Sequence, residues 1–312
     1  MFSNERRRTN PSREKNLTAM KKIFILFAIL PSLAYAQDDL LSELEKDTDK
    51  ETEYTFATFK GTRLANGHTI ETKNAGSLEF IFQHRFGAIN GGWYEMYGLD
   101  EALVRLGLDY GITDRLSVSI GRNSFDKTMD GYFKFRALRQ STGAKAFPFS
   151  VTLLAGGAYK FSPKNNSDVS DDFENIDRLS YTGQALIARK FSGNVSLQLM
   201  PSYVHKNAVV ESEEENDQVA LGFGGRIKLT KSLAITTEYY YNFSMKEDSP
   251  YFNPLAFGID IETGGHVFQL LITNAVGLTE RAFITETRDD FWDGDIHLGF
   301  NVTRTFQLKK HK

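Results

Sequence analysis

Through most of the chain, apolar and polar side chains alternate with a period of two. The C-terminal stretch is the plainest case: Ile296, Leu298, Phe300, Val302, Phe306 and Leu308 share one face, with Arg304 the exception, opposite His297, Gly299, Asn301, Thr303, Thr305 and Gln307. Val219, Leu221, Phe223, Ile227 and Leu229 repeat it opposite Ala220, Gly222, Gly224, Arg226 and Lys228. A period of two is the mark of a strand whose faces meet different surroundings. Twelve such runs occur, near 78–86, 101–110, 116–123, 131–138, 148–159, 178–189, 195–204, 218–228, 233–242, 254–261, 266–274 and 295–308. Most approach the ~9–11 residues that a tilted strand needs to cross a bilayer.

The connections also alternate. Short turns fall at 111–115, 191–194, 229–232 and 262–265, with a middling link at 139–147. Long or charged segments occupy 87–100, 124–130, 160–177, 205–217, 243–253 and 275–294. Short periplasmic turns, long extracellular loops and an even strand count describe a bacterial outer-membrane barrel. The sequence therefore predicts an all-β fold: a closed antiparallel transmembrane β-barrel over 78–308, of about 12 strands (range about 10–14). Trp93, Tyr94, Tyr97, Tyr132, Phe133, Tyr159, Phe161, Tyr239, Tyr240, Tyr241, Phe243, Tyr251, Phe252, Phe291 and Trp292 gather at the long-loop ends, as an aromatic girdle would. A soluble β-sandwich also alternates, but it needs neither one-sided loop lengths nor export.

Export is written at the start. Lys21 and Lys22 precede an apolar run from Ile23 to Leu30, and Ala34-Tyr35-Ala36 offers a cleavage site. This reads as a secretory signal peptide over 20–36, cleaved after Ala36, behind an upstream extension over 1–19. Residues 37–77 then form an acidic periplasmic segment whose Asn66-Gly67 pair signals a hairpin, and 309–312 form a basic tail. Removing residues 1–36 takes away seven Lys/Arg and two acids, so the formal charge of −3 becomes −8. No basic footprint for nucleic acid remains. A mean hydropathy of −0.36 excludes a helical membrane protein. The absence of Cys excludes disulfides, thiol chemistry and a lipoprotein anchor.

In a barrel, the polar face of each strand lines the lumen. Arg105, Asp109, Arg226, Lys228, Glu238, Asp260, His266 and His297 are the lumen candidates, and their mixed signs suit a salt-bridge network better than a conduction path. Phe306 is the candidate assembly signal near the C-terminus, although Gln307, Leu308 and the basic tail follow it. No catalytic, metal or cofactor residues emerge: nucleophile-elbow, phosphate-loop and zinc motifs are absent, and the six His are scattered. Ser180 or Ser202 near His205 would be the only hydrolase guess. The acidic stretches 168–174 and 211–215 lack calcium-loop spacing, and Glu262 and His266 flank a Gly-Gly turn that a tight hairpin explains.

Several motifs point further. They are Phe56-Ala57-Thr58-Phe59-Lys60-Gly61-Thr62-Arg63-Leu64, His84-Arg85-Phe86-Gly87, the stretch from Asp260 to Leu270, Ile284-Thr285-Glu286-Thr287 with Trp292, and the stretch from Gly294 to Asn301. Together they resemble an uncharacterised outer-membrane β-barrel family of Bacteroidota, over essentially the whole mature chain. The resemblance implies fold and location and carries no established activity. The expectation is a non-enzymatic, porin-like outer-membrane barrel with a structural or small-solute passage role. Its partners would be outer-membrane lipid or lipopolysaccharide and the barrel assembly machinery, with no cofactor. The alternatives are a membrane-embedded enzyme acting on lipid or lipopolysaccharide, and a surface barrel that binds ligand through its acidic loops.

Overall fold

The computed structural model describes residues 51–161, 174–209 and 214–309. The signal segment, most of both acidic stretches and the end of the basic tail lie outside these residues. Twelve strands form one closed antiparallel barrel. They are β1 (Ser77–Ala88), β2 (Ala102–Gly111), β3 (Leu116–Asn123), β4 (Thr128–Leu138), β5 (Ser150–Lys160) and β6 (Leu179–Lys190). After them come β7 (Val195–Lys206), β8 (Asp217–Lys228), β9 (Leu233–Asn242), β10 (Leu255–Thr263), β11 (His266–Thr273) and β12 (His297–Gln307). Each strand pairs with its sequence neighbours, and β12 pairs with β1 from Gln307↔Ser77 to His297↔Ala88 to close the cylinder. Among the described residues no helix is long and apolar enough to cross a membrane.

Closure gives every strand a partner on both sides, which hydrocarbon demands because unpaired backbone groups there cost several kcal/mol each. The connections sort by side as the sequence indicated, with two exceptions. The link 139–149 between β4 and β5 is long although it lies at the short-turn end, and the link 124–127 between β3 and β4 is short although it lies at the long-loop end. The outer face carries Leu106, Leu108, Ile120, Phe133, Phe135, Ile259 and Leu270, all exposed. Three aromatics assigned to the girdle are buried: Tyr132 and Tyr240 on the inner faces of β4 and β9, and Tyr251 in the loop before β10. Tyr132 shares its parity with Asp130 and Lys134, which decides its direction irrespective of its ring.

The core lies inside the barrel. Residues 58–70 are almost entirely buried, and so is a short helix in the last long loop, α1 (Glu280–Thr285). An apolar cluster joins Phe59, Leu64 and Ile70 to Leu186, Met200, Val204 and Tyr240 on the wall and to Phe283 and Ile284 of α1. Two wall glycines make room for this filling. A Cβ at Gly224 would stand 2.1 Å from Leu64 Cδ2, and one at Gly222 would stand 2.4 Å from the Tyr240 ring.

The polar side of the wall is organised around Arg105, whose side chain is fully buried. Its Nε donates to Asp130 Oδ1 at 2.9 Å, a second guanidinium nitrogen bonds Asp130 Oδ2, and Nη1 donates to Gln83 at 3.2 Å. Gly121 leaves space for this fork, since a Cβ there would stand 2.4 Å from Arg105 Nη2. Arg105→Met should strand the Asp130 charge and cost about 3–5 kcal/mol, whereas Arg105→Met with Asp130→Leu should restore most of that loss. Urea unfolding of the refolded protein in detergent, followed by heat-modifiable gel migration, measures both.

Candidate functional site: a lumen filled from both ends

The segment before β1 enters the lumen from the short-turn end, makes a hairpin and returns. Arg63 bridges His68, Leu64 N donates to Gly67 O at 2.9 Å, and Thr69 N donates to Thr62 O at 3.0 Å. Residues 58–72 thus form a plug within the barrel. The Asn66-Gly67 signal marks the tip, but the ordinary reason for it does not apply, because neither residue has positive φ. Gly67 is needed for space: a Cβ there would stand 2.3 Å from the Tyr240 hydroxyl.

A buried tip exposes backbone groups that no sheet partner satisfies, so wall side chains take that role. Glu238 accepts from the backbone N–H of Ala65 at 3.3 Å, Asn66 at 3.1 Å and Gly67 at 3.0 Å. Gln269 donates to Leu64 O at 3.0 Å, Asn301 to Ala65 O at 2.9 Å and Thr152 to Ile70 O at 2.8 Å. Gln198 accepts from Ile70 N at 2.8 Å and donates to His68 O at 2.7 Å. Arg85 donates to the Asn66 side chain at 2.9 Å. Polar residues of six strands are therefore aimed at one short hairpin.

From the long-loop end, α1 descends to meet it. Arg63 Nη1 lies 3.0 Å from Glu280 Oε1, and His68 Nε2 lies 2.9 Å from the same oxygen. One carboxylate of the loop thus holds both arms of the hairpin. Burial and the adjacent Arg63 charge push His68 down to about 3, against the partial opposition of Glu280. Its imidazole is neutral, packed edge-on to the Tyr132 ring at 4.4 Å between centroids. Burial alone would raise Glu280, but the adjacent Arg63 guanidinium, with the N–H of the neutral His68, outweighs it and holds the carboxyl well below its usual range.

Above this contact, a chain of charges ties the loops together. Arg281 donates to Asp126 at 3.0 Å and pairs closely with Glu286. Lys160 lies 2.8 Å from Asp126, and Lys206 lies 2.9 Å from Glu214 and 3.6 Å from Glu286. Asp126 gives the short 124–127 link its role as an anchor for α1. On the described residues, an interior gap beside Glu280, Arg281 and Tyr132 measures only about 10 Å³, about what one water occupies.

Most of the lumen candidates point inward. Asp109 accepts the Tyr132 hydroxyl at 2.8 and 2.6 Å, Asp260 accepts from Gln269 at 2.9 Å, and Arg226 stands 4.0 Å from Asp260. His297 contacts Phe86 O at 3.0 Å and Asp289 at 2.9 Å, and Lys228 is half-buried on the inner side at the end of β8. His266 is a correction: it shares the face of Phe268, Leu270 and Ile272 and points outward, stacked 5.8 Å from Phe268. Glu262 points the other way and accepts from Lys60 of the plug at 2.8 Å, so the two do not form a site. Ser180 and Ser202 face inward while His205 faces outward to Asp217 at 2.7 Å, which separates the hydrolase candidates. Phe306 faces outward beneath Arg304, 4.8 Å from its ring centroid. Sequence reasoning missed several other buried titratable side chains, among them Arg63, His68, Arg85, Lys134, Arg281 and Glu280. Of these, Arg85 and Lys134 could have been found by strand parity alone.

The chain belongs to the family described as "Membrane bound beta barrel domain (DUF5777)", whose model matches residues 59–306. That range includes the hairpin as well as the strands. No curated protein matches the chain. Among solved structures, the NanC porin is similar at 9% identity and TM-score 0.45, over 75% of this chain and 100% of that one. An outer membrane channel from Pseudomonas putida F1 is similar at 15% identity and TM-score 0.44, over 76% and 98%. Omp33 of Acinetobacter baumannii gives 10% identity and TM-score 0.41, over 74% and 98%.

Glu280→Ala removes the joint between loop and hairpin and leaves Arg63 unpaired. Amides of Leu64 to Ile70 should then exchange at least tenfold faster, matching a loss of ~1.5–3 kcal/mol for a charged hydrogen bond, while strand amides keep their protection. Hydrogen exchange read by mass spectrometry on the refolded protein checks this.

Proposed function

We propose that this membrane-bound barrel resides in an outer membrane as a non-enzymatic passage for a small polar solute, shut in the described state by its hairpin and last loop. The observation that carries this reading is how the filling is held. The hairpin is seated largely by hydrogen bonds and ion pairs to a polar wall, contacts that water can replace when the hairpin withdraws. A filling that served stability alone would do better with apolar side chains, which avoid the desolvation cost of buried charge. Location in an outer membrane draws on the signal-like segment over 20–36 and the one-sided loop lengths. Without the hairpin, the wall would present Arg85, Arg105, Lys134, Glu238 and Asp109 to water, a lining suited to polar and not to apolar cargo.

The seat should respond to acid, and the sign follows from its protons. The seated His68 binds a proton only near pH 3, whereas the released side chain binds one near its ordinary value of about 6.5. Lowering the pH through that window therefore favours release. Glu280 acts in the same direction: its seated pKa is depressed, so its stabilisation is lost as pH falls below about 4.5, its ordinary value. In planar bilayers the refolded protein should be nearly silent at pH 7.5 and show open events at pH 5. His68→Gln should flatten the response between about pH 6.5 and 5, and Glu280→Gln should raise opening at neutral pH. Silence of all three proteins at every pH and voltage would leave a structural role in the envelope.

A further inference from the structure

One connection at the short-turn end differs from the rest. The links 112–115, 191–194, 229–232 and 264–265 are tight, whereas 139–149 is long and builds a small structure of its own. Ser141–Thr142 pairs with Glu53–Tyr54 as a two-stranded sheet, Ser141 bridges Phe147, and Gly143 turns the chain at φ +84°. Between this turn, the ends of β3 and β4 and the strand that leads to the plug lies a cleft of about 360 Å³. Arg115, Arg136, Arg139 and Lys145 line it, and no carboxylate does among the described residues.

Four cations around one cleft repel one another unless an anion joins them. Two are partly engaged. Arg136 lies 3.6 Å from Glu71, and Arg139 reaches Thr55 O at 3.4 Å while its guanidinium lies 4.7 Å from the rings of Tyr54 and Phe56. Arg115 and Lys145 are exposed. The outer lip is apolar: Leu138, Phe147 and Phe149 are 46%, 37% and 41% exposed. These residues follow directly on Phe135 and Phe133 of the lipid-facing surface. Nearby, the guanidinium of Arg189 lies 5.7 Å from the Phe149 ring and 5.1 Å from the Phe191 ring, an arrangement suited to the headgroup layer.

We propose that this cleft binds the phosphate of an anionic phospholipid headgroup in the leaflet that meets the short-turn end, with its acyl chains lying along Leu138 and Phe149. Guanidinium forks suit phosphate oxygens, and the continuity from cations to lipid-facing rings suits a molecule charged at one end and apolar at the other. A bound lipid would also brace the turn that pairs with Glu53–Tyr54, the strand from which the plug starts. The site depends on the barrel lying in a bilayer and is independent of whether the lumen passes a solute.

Native mass spectrometry of the full-length protein, reconstituted into nanodiscs and released from them, tests the assignment. From mixed nanodiscs the wild type should retain phosphatidylglycerol in preference to phosphatidylcholine. Arg115→Ala with Lys145→Ala should reduce that retention about thirtyfold, since each basic side chain near an anionic surface adds roughly a factor of five. Both residues are exposed, and unchanged heat-modifiable migration confirms that the variant folds. Arg122→Ala, a lipid-facing cation at the long-loop end, should leave retention unchanged. Equal retention by wild type and double variant would overturn the proposal. So would an absence of preference for the anionic lipid together with binding of inorganic phosphate at millimolar concentration, which would make the cleft a site for a soluble anion.

Discussion

A backbone that crosses hydrocarbon must pair all its N–H and C=O groups, and this chain meets that demand by closing twelve strands into a ring. Closure fixes the circumference, and the circumference creates a second problem. Around eight strands, wall side chains can fill the interior, but at twelve they no longer meet across it. The chain fills the remainder with itself: a hairpin from one end, a helix from the other, and an apolar cluster where both touch β6 to β9. Glycines at 222 and 224 thin the wall on the side where this filling presses closest.

Filling a barrel with irregular backbone transfers the pairing requirement from the wall to the plug. Residues 64–71 have buried amides and carbonyls but few partners of their own. The polar lining supplies them through Glu238, Gln198, Gln269, Asn301 and Thr152. Many lumen side chains that resemble a channel lining are thus substitutes for a neighbouring strand. Buried charge follows the same logic. Arg105 is matched by Asp130 within the wall, and Arg63 by Glu280 from the loop, because a lone charge in this interior would cost several kcal/mol.

Those two levels explain what was legible beforehand. The strands sit within a few residues of the alternating runs because each sees lipid on one face and protein on the other, and period two records that difference directly. The plug has protein on every side, so residues 58–72 carry no period, and their glycine-containing tip was visible only as a turn. Glu280 was hidden for a different reason: it belongs to a helix of six residues inside a long loop, too short to show a periodic face. His266 misled because polarity was taken for direction. It stands at the end of its strand, where the lipid face meets water and a histidine is tolerated outside, while Gln269 between Phe268 and Leu270 shows the true parity. Tyr132 misled in the opposite sense, as a ring taken for a girdle although it lies between inward-facing Asp130 and Lys134.

The way the two fillings meet also limits how they can part. Arg63 and His68 lie on opposite arms of the hairpin, and one oxygen of Glu280 serves both. Movement of either arm therefore disturbs the partner of the other, so the contact fails as a unit and not by degrees. The root of the hairpin is held separately: Thr62 donates to Glu79 at 2.6 Å, Lys73 pairs with Glu79 at 2.6 Å, and Gly76 turns at φ +73° into β1. Its tip depends on Glu238 and Glu280, whereas its root is anchored to the first strand. Tip and root are thus held by different groups, and in the opening proposed above a change confined to the tip would leave the contacts of residues 73–76 and the seam between β12 and β1 in place.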